Sequence, residues 1–500
     1  MGSARDFPTL SALNTEIRAK ALSYGLDPFD LAFEVVTFDQ MNELAAFDGF
    51  PVRYPHWRFG MEYERLRKSY AYGLHIIYEM VINNDPCYAY LLEHNKLVDH
   101  KLVMAHVYAH SDFFKNNLWF SHTNRRMLDE MANHGTRMHR YVDRYGAEAV
   151  EQLIDTCLSI DDLIDPNAAF ENLPIEFEHG DEDEEEAFRV SRFRAKDYME
   201  VFVNPPGVLQ AEREHQEKER REQRFPVQPM RDVLYFLLTH APLKAWQADV
   251  LAMLREESYY FLPQRQTKIM NEGWAAYWHS KIMTESGLMS PSEVVDYADH
   301  NSGTLAISPG QLNPYKLGVE LYRDIEERWN TGRFGPEWDS CTSREARRGW
   351  DKHVGLGRQK IFEVRRVYND LGFIDTFLDR EFALKSKFFV YKEKEGEAGE
   401  SYYEIVSREF DQIKQTLLFQ LTNGGRPIIF VEDANLHNRG ELLLRHQYDG
   451  LELDKAYGQA TLAAIQSLWT RPVHIATIYS GKSVLLSFDG KKHSESRFEG

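Results

Sequence analysis

The sequence predicts an α+β fold: a large, mostly helical N-terminal domain over residues 1–384, followed by a small α/β domain over 385–500 with a mixed or antiparallel sheet. Two observations carry this. Long segments before residue 385 repeat apolar residues at helical spacing. After it come short runs, "KFFVY", "YYEIV", "PIIFVED", "GELLLRHQY", "PVHIATIY" and "SVLLSF", rich in the β-branched and aromatic residues of strands. Residues 408–421 and 455–469 keep a helical pattern among those strands, which makes the second domain α/β rather than all-β.

Along the chain, residues 1 to about 160 read as mostly helical, through segments such as "YERLRKSYAYGLHIIYEMVI" and "KLVMAHVYAHSDFFKNNLWF". From about 165 to 229 the composition changes. Pro166, Pro174, Pro205, Pro206, Pro226 and Pro229 punctuate two charge runs, "EHGDEDEEEA" and "EREHQEKERREQR", the pattern of a solvated, partly disordered insertion. Helical spacing resumes near 230 with "MRDVLYFLLTHAPLKAWQADVLAMLREESYYFLPQ" and persists to about 380, so the insertion is expected to interrupt one helical domain.

Composition narrows the function classes. With 43% hydrophobic and 27% charged residues the chain is in the soluble globular range. No apolar run reaches the roughly 18 residues that span a bilayer, and "MGSARDFPTL" lacks the apolar core of a signal peptide. Three cysteines without a CxxC pair offer neither a disulfide framework nor a thiolate zinc cage, pointing to a reducing, cytoplasmic compartment. A formal charge of −19 argues against nucleic acid as a partner.

Two polar constellations stand on apolar helical segments. In "NEGWAAYWH", Glu272 and His279 are seven residues apart, nearly two helical turns, and share a face with Ile269, Ala275, Ala276 and Ile282. A buried carboxylate needs a metal, a cation or a hydrogen-bonding shell. In "HVYAH", His106 and His110 stand at i, i+4 among Leu102, Val103, Phe113 and Phe114, the spacing by which zincin helices hold Zn²⁺. A chain with 19 histidines will also show that spacing by chance, as packed or surface residues. Together, two histidines from one helix and a glutamate from another make the His₂Glu set of catalytic zinc sites, and "NEGWA" resembles the glutamate-bearing helix of gluzincin peptidases.

One departure stands out. Val107 occupies the position of the glutamate that serves as general base in HExxH. The candidates for a substitute are Glu257 first, then Glu256, Asp112 and Glu79, with the alternative for each that it is an ordinary surface or buttressing charge. His279 is a candidate catalytic group, outer-sphere partner or further ligand. A carboxylate/His site for iron or manganese would add Glu79, Glu257 and His279 to the ligands. Near the C-terminus, Asp433, Asn435, His437 and Arg439 of "DANLHNRGELLL" are candidate ligand contacts or simply a polar turn.

Longer blocks carry a family resemblance: "YPHWRFGMEYERL" at 54–66, "YEMVINNDPCYAYLLE" at 78–93, "HVYAHSDFFKNN" at 106–117, "REESYYFLPQRQTKIMNEGWAAYWHSKIM" at 255–283, "GRQKIFEVRRVYNDLGFID" at 357–375 and "NRGELLLRHQYDGLELD" at 438–454. On these blocks the chain resembles the stage V sporulation protein R (SpoVR) family over nearly its full length. The resemblance implies a part in forming or remodelling the spore cortex, a peptidoglycan layer. It also implies an AAA+ serine protein kinase and a von Willebrand A-type protein as partners. Combined with the motifs, the expectation is a zincin-like helical domain holding Zn²⁺ or another divalent metal through His106, His110 and Glu272. Glu257 and His279 would handle protons if it is an amide or peptide hydrolase. The alternative is a non-catalytic scaffold or regulator with a structural metal site or a metal-free polar cluster.

Overall fold

The computed structural model describes residues 7–71, 79–170, 210, 224–285, 287–304, 312–386, 390–395 and 401–498. Most of the expected insertion at 165–229, including its acidic run, lies outside the described residues. In chain order the main elements are α1 (Phe7–Ser23), β1 (Leu31–Val36), α2 (Phe38–Ala46), α3 (Trp57–Ala71), β2 (Glu79–Ile82), β3 (Cys87–Leu92), α4 (Leu97–Asn116), α5 (Met127–Tyr145) and α6 (Ala147–Leu158). Next come α7 (Val233–His240), α8 (Ala245–Gln266), α9 (Lys268–Glu285), α10 (Glu293–Thr304), α11 (Pro314–Thr331), α12 (Gly357–Val367) and α13 (Asp370–Phe377). The chain continues through β4 (Val390–Glu395), β5 (Ser401–Ser407), α14 (Phe410–Leu421), β6 (Ile429–Leu436), β7 (Glu441–His446), α15 (Lys455–Trp469), β8 (Val473–Tyr479), β9 (Lys482–Phe488) and β10 (His493–Arg497).

These elements form an α+β structure whose N-terminal part is mostly helical and whose later part contains a mixed sheet. No described helix is long and apolar enough to cross a membrane.

The chain divides into two compact units, one of residues 1–150 and 259–426, the other of 151–258 and 427–500. The C-terminal stretch of the second unit begins at residue 427. The β4–β5 hairpin and α14 cluster with the helical unit, α14 packing against α13. Residues 151–258 cluster with the C-terminal strands, and backbone pairing accounts for it: Met230 and Val431 exchange N–H···O bonds of 3.0 and 2.7 Å. The apolar helix α7 packs on β6, with Phe236 beside Trp469 at a ring separation of 5.8 Å. In that unit the strand order is β10-β9-β8-β7-β6, with β7 and β8 parallel and the other neighbours antiparallel.

Residues 1 to about 160 are mostly helical, as expected, but not throughout. A three-stranded sheet of order β1-β3-β2 interrupts the helices, β1 lying parallel to β3 and β2 antiparallel. The reason is in the residues: "LAFEVV" and "CYAYLL" are short, nearly continuous apolar runs, whose periodicity does not separate a buried strand from a helical segment. Both faces of β3 are covered, since Cys87, Ala89, Tyr90, Leu91 and Leu92 are all buried.

The core that positions the site is built from α4, α9 and α11. Val103, Val107, Phe113, Trp274, Trp278, Tyr322 and Phe373 belong to one contiguous buried cluster. Each such large apolar side chain contributes about 1.5–3 kcal/mol on burial. Helices α9 and α11 cross at two glycines. A Cβ built on Gly273 would stand 2.4 Å from the Gly318 Cα, and one on Gly318 would stand 2.2 Å from the Ile269 carbonyl oxygen. Only residues without a side chain let the two backbones meet there.

Candidate metal centre

Helix α4 presents His106 and His110 one turn apart on the face that meets α9, and both imidazoles are buried. Helix α9 supplies Glu272 opposite them. One carboxylate oxygen, Oε2, lies 3.6 Å from His106 Nε2 and 3.6 Å from His110 Nε2. Neither distance is a hydrogen bond, and that buried oxygen has no hydrogen-bond partner. Ligand atoms held at about 2.0–2.1 Å by one tetrahedral ion stand about 3.3 Å apart, so the spacing is that of groups arranged around a small cation. Among the described residues, these three form the group of metal-ligating side chains whose donor atoms lie within 4.8 Å of one another.

The far side of each imidazole is engaged. His110 Nδ1 donates to Asn271 Oδ1 at 2.9 Å, leaving its Nε2 lone pair on the Glu272 side. His106 Nδ1 shares a 2.8 Å hydrogen bond with His279 Nδ1. When His106 is the donor, its Nε2 carries the ring's lone pair on the Glu272 side. Thus Asn271, Glu272 and His279, all on α9, meet both histidines of α4.

Electrostatics agrees with this geometry. Burial, and then the neighbouring His106, push the His110 imidazole down to about 4, so it is neutral, the form that ligates a metal. Burial pushes the Glu272 carboxyl up, but the two imidazoles and the Tyr315 hydroxyl outweigh it and hold the group below its ordinary range. Glu272 is therefore an anion. Its side chain keeps 18% exposure, while the oxygen that faces the imidazoles is buried.

Three supports fix the helices. Asp370 of α13 accepts from the backbone N–H groups of Ile269 and Met270, each at 2.8 Å, and so caps the first turn of α9. Asn313 caps α11 by accepting from Lys316 N, and Pro314 opens that helix. Asp112 is fully buried and joins several segments: it accepts from Asp27 N at 2.7 Å and Trp274 Nε1 at 2.8 Å and pairs with Arg365 at 3.3 Å.

The family profile of SpoVR like protein matches residues 4–426, and that of the SpoVR-like C-terminal domain matches 427–480. The chain belongs to the SpoVR family. A curated relative in Escherichia coli strain K12, "Uncharacterized protein YcgB", is 32% identical over 339 residues, covering 64% of this chain and 64% of its own. The SpoVR chain described here thus spans 64% of the length of that relative. No solved structure matches it.

His279 sits behind His106, hydrogen-bonded to its Nδ1. Glu257 is buried on α8, in the stretch that clusters with the second unit, and is not a member of the His106–His110–Glu272 group; Glu256 beside it is exposed. Asp112 is engaged by Trp274, Arg365 and the Asp27 backbone N–H. Glu79 begins strand β2. Val107 is fully buried, so the position following His106 offers packing alone. In the C-terminal unit, Asp433, Asn435 and Asn438 bond to one another around a tight turn, and Arg439 pairs with Glu441. Those polar groups are the ordinary furniture of a hairpin.

Asn271, Tyr315 and Asp370 escaped the motif reading. Asn271 was visible as the neighbour of Glu272 in "NEG". The "NPY" of residues 313–315 marks a helix start but gives no hint of which helix it meets.

Proposed function

We propose that this SpoVR family protein binds a divalent metal ion, zinc first among them, through His106 Nε2, His110 Nε2 and one Glu272 oxygen, and that the site serves amide or peptide hydrolysis on a peptidoglycan-related substrate. A single observation carries the metal reading: a buried carboxylate oxygen without a hydrogen-bond partner stands equidistant from two imidazole nitrogens whose far sides are occupied. A divalent ion there would supply Lewis acidity and a bound water of lowered pKa. The chain's own part is to hold the two imidazoles in their ligating tautomers through Asn271 and His279 and to keep Glu272 ionised. A zincin-like arrangement, with two histidines on one helix and a glutamate on a second, later helix, is part of this proposal. The hydrolytic step and the cortex role rest on the motif and the family resemblance.

One observation favours a second reading. With Val107 buried where HExxH places its base, and Glu257 outside the cluster, a scaffold or regulator that uses the metal structurally, alongside a kinase partner, fits the same residues.

Elemental analysis of untagged protein against a His106→Ala/His110→Ala variant tests the shared premise. About one equivalent of zinc, iron or manganese in the unmodified chain and its loss in the variant are expected. Absence of stoichiometric metal from the unmodified chain would overturn both forms of the proposal that place a metal there. Turnover of muropeptides or short peptides by the loaded protein alone then favours the hydrolase over the scaffold.

A further inference from the structure

The third helix at the cluster supplies a group that neither histidine motif nor glutamate motif includes. Tyr315 stands at the second position of α11, one residue after Pro314. Its hydroxyl is a hydrogen-bonding neighbour of the Glu272 carboxylate. Its ring lies nearly parallel to the His106 imidazole, at an interplanar angle of 25° and a centroid distance of 6.3 Å. Tyr315 therefore faces two of the three candidate ligands, and it is only half-buried.

Its placement is built in at two points. The Asn313 cap and Pro314 fix the first turn of α11. The Gly273–Gly318 crossing brings that helix into backbone contact with α9, one residue from Glu272 and three residues from Tyr315. A carboxylate can bind a metal through one oxygen or through both. A phenol O–H that donates to a carboxylate occupies a lone pair and biases it toward one-oxygen binding, leaving more of the coordination sphere open.

From this geometry we infer that Tyr315 is the positioning residue for Glu272, holding its carboxylate so that one oxygen is turned to His106 Nε2 and His110 Nε2. The inference rests on the metal reading above and adds the residue that sets the coordination mode.

The test is metal titration of apo-protein with Zn²⁺, and with Co²⁺ as a spectroscopic stand-in, comparing the unmodified chain with Tyr315→Phe and Lys316→Ala. Tyr315→Phe keeps the ring and removes the hydroxyl. Affinity is expected to fall at least about 10-fold, the usual effect of losing a partner of a metal ligand. The visible Co²⁺ bands should also shift, as one-oxygen binding gives way to two-oxygen binding. Lys316→Ala, one residue along the same helix, should leave both readouts unchanged, which separates a general disturbance of α11 from loss of the hydroxyl. If Tyr315→Phe matches the unmodified chain in affinity and spectrum, the inference falls and the metal site stands. If the unmodified chain takes up no metal, the site and the inference fall together. A drop of equal size in Lys316→Ala would overturn the specific role of Tyr315.

Discussion

At Glu272 the sequence raises a problem that the neighbouring side chains answer one by one. Its charge is kept by two imidazoles and a phenol, its unpartnered oxygen faces the imidazoles, and the imidazoles are turned by Asn271 and His279. Asp370, some hundred positions later, holds the first turn of the same helix and carries its own titration. Burial pushes this carboxyl up to about 7, against the downward pull of two backbone N–H bonds. Its folded value thus exceeds the ordinary value of 3.8, so the folded chain binds the proton more tightly than the unfolded chain does. The stability this group contributes is full below about pH 4 and is lost as pH rises through about 7. Asp370→Asn, which cannot ionise, should therefore flatten the decline in stability between those limits. Urea midpoints measured across that range check it, and an unchanged slope would refute the assignment.

At the scale of elements, the meeting of α9 and α11 decides where the ligands stand. Gly273→Ala puts a methyl group 2.4 Å from the Gly318 backbone, and no flexible side chain is present to yield. The helices must separate, at a cost of about 1–3 kcal/mol or more. A lower urea midpoint and weaker metal uptake are expected together, and an unchanged midpoint would show that the crossing is looser than described. This same element shows what the sequence could tell. "HVYAH" and "NEGWAAYWH" were legible because a helix repeats its faces at fixed spacing, so ligands and apolar flanks can be read within one segment. Tyr315 was not legible: its partner lies 43 residues earlier on another helix, and no local periodicity encodes a crossing. The short strands β1, β2 and β3 were missed for a related reason. In "YERLRKSYAYGLHIIYEMVI" the apolar spacing runs on past Ala71, the last residue of α3, into Glu79–Ile82, which pair with β3 instead.

At the scale of the molecule, the chain builds two units from four stretches, so neither unit is contiguous in sequence. The C-terminal strands depend on residues from the earlier stretch of their own unit: Met230 pairs with Val431, Arg224 with Glu432, and Phe236 lies against Trp469. A fragment of residues 427–500 alone loses all three contacts. It should be less stable, or less soluble, than the same fragment co-expressed with residues 151–258. Denaturation midpoints of the two preparations check this, and equal midpoints would make the 427–500 stretch self-sufficient. The discontinuity also has a consequence in time. Glu272 follows His110 by 162 positions, and at synthesis rates of about 5–20 residues per second it leaves the ribosome roughly 10 to 30 s later. Throughout that interval α4 is complete but has no α9 to cover Val103, Val107 and its two histidines. A metal held by all three candidate ligands would therefore be captured only after α9 has been made.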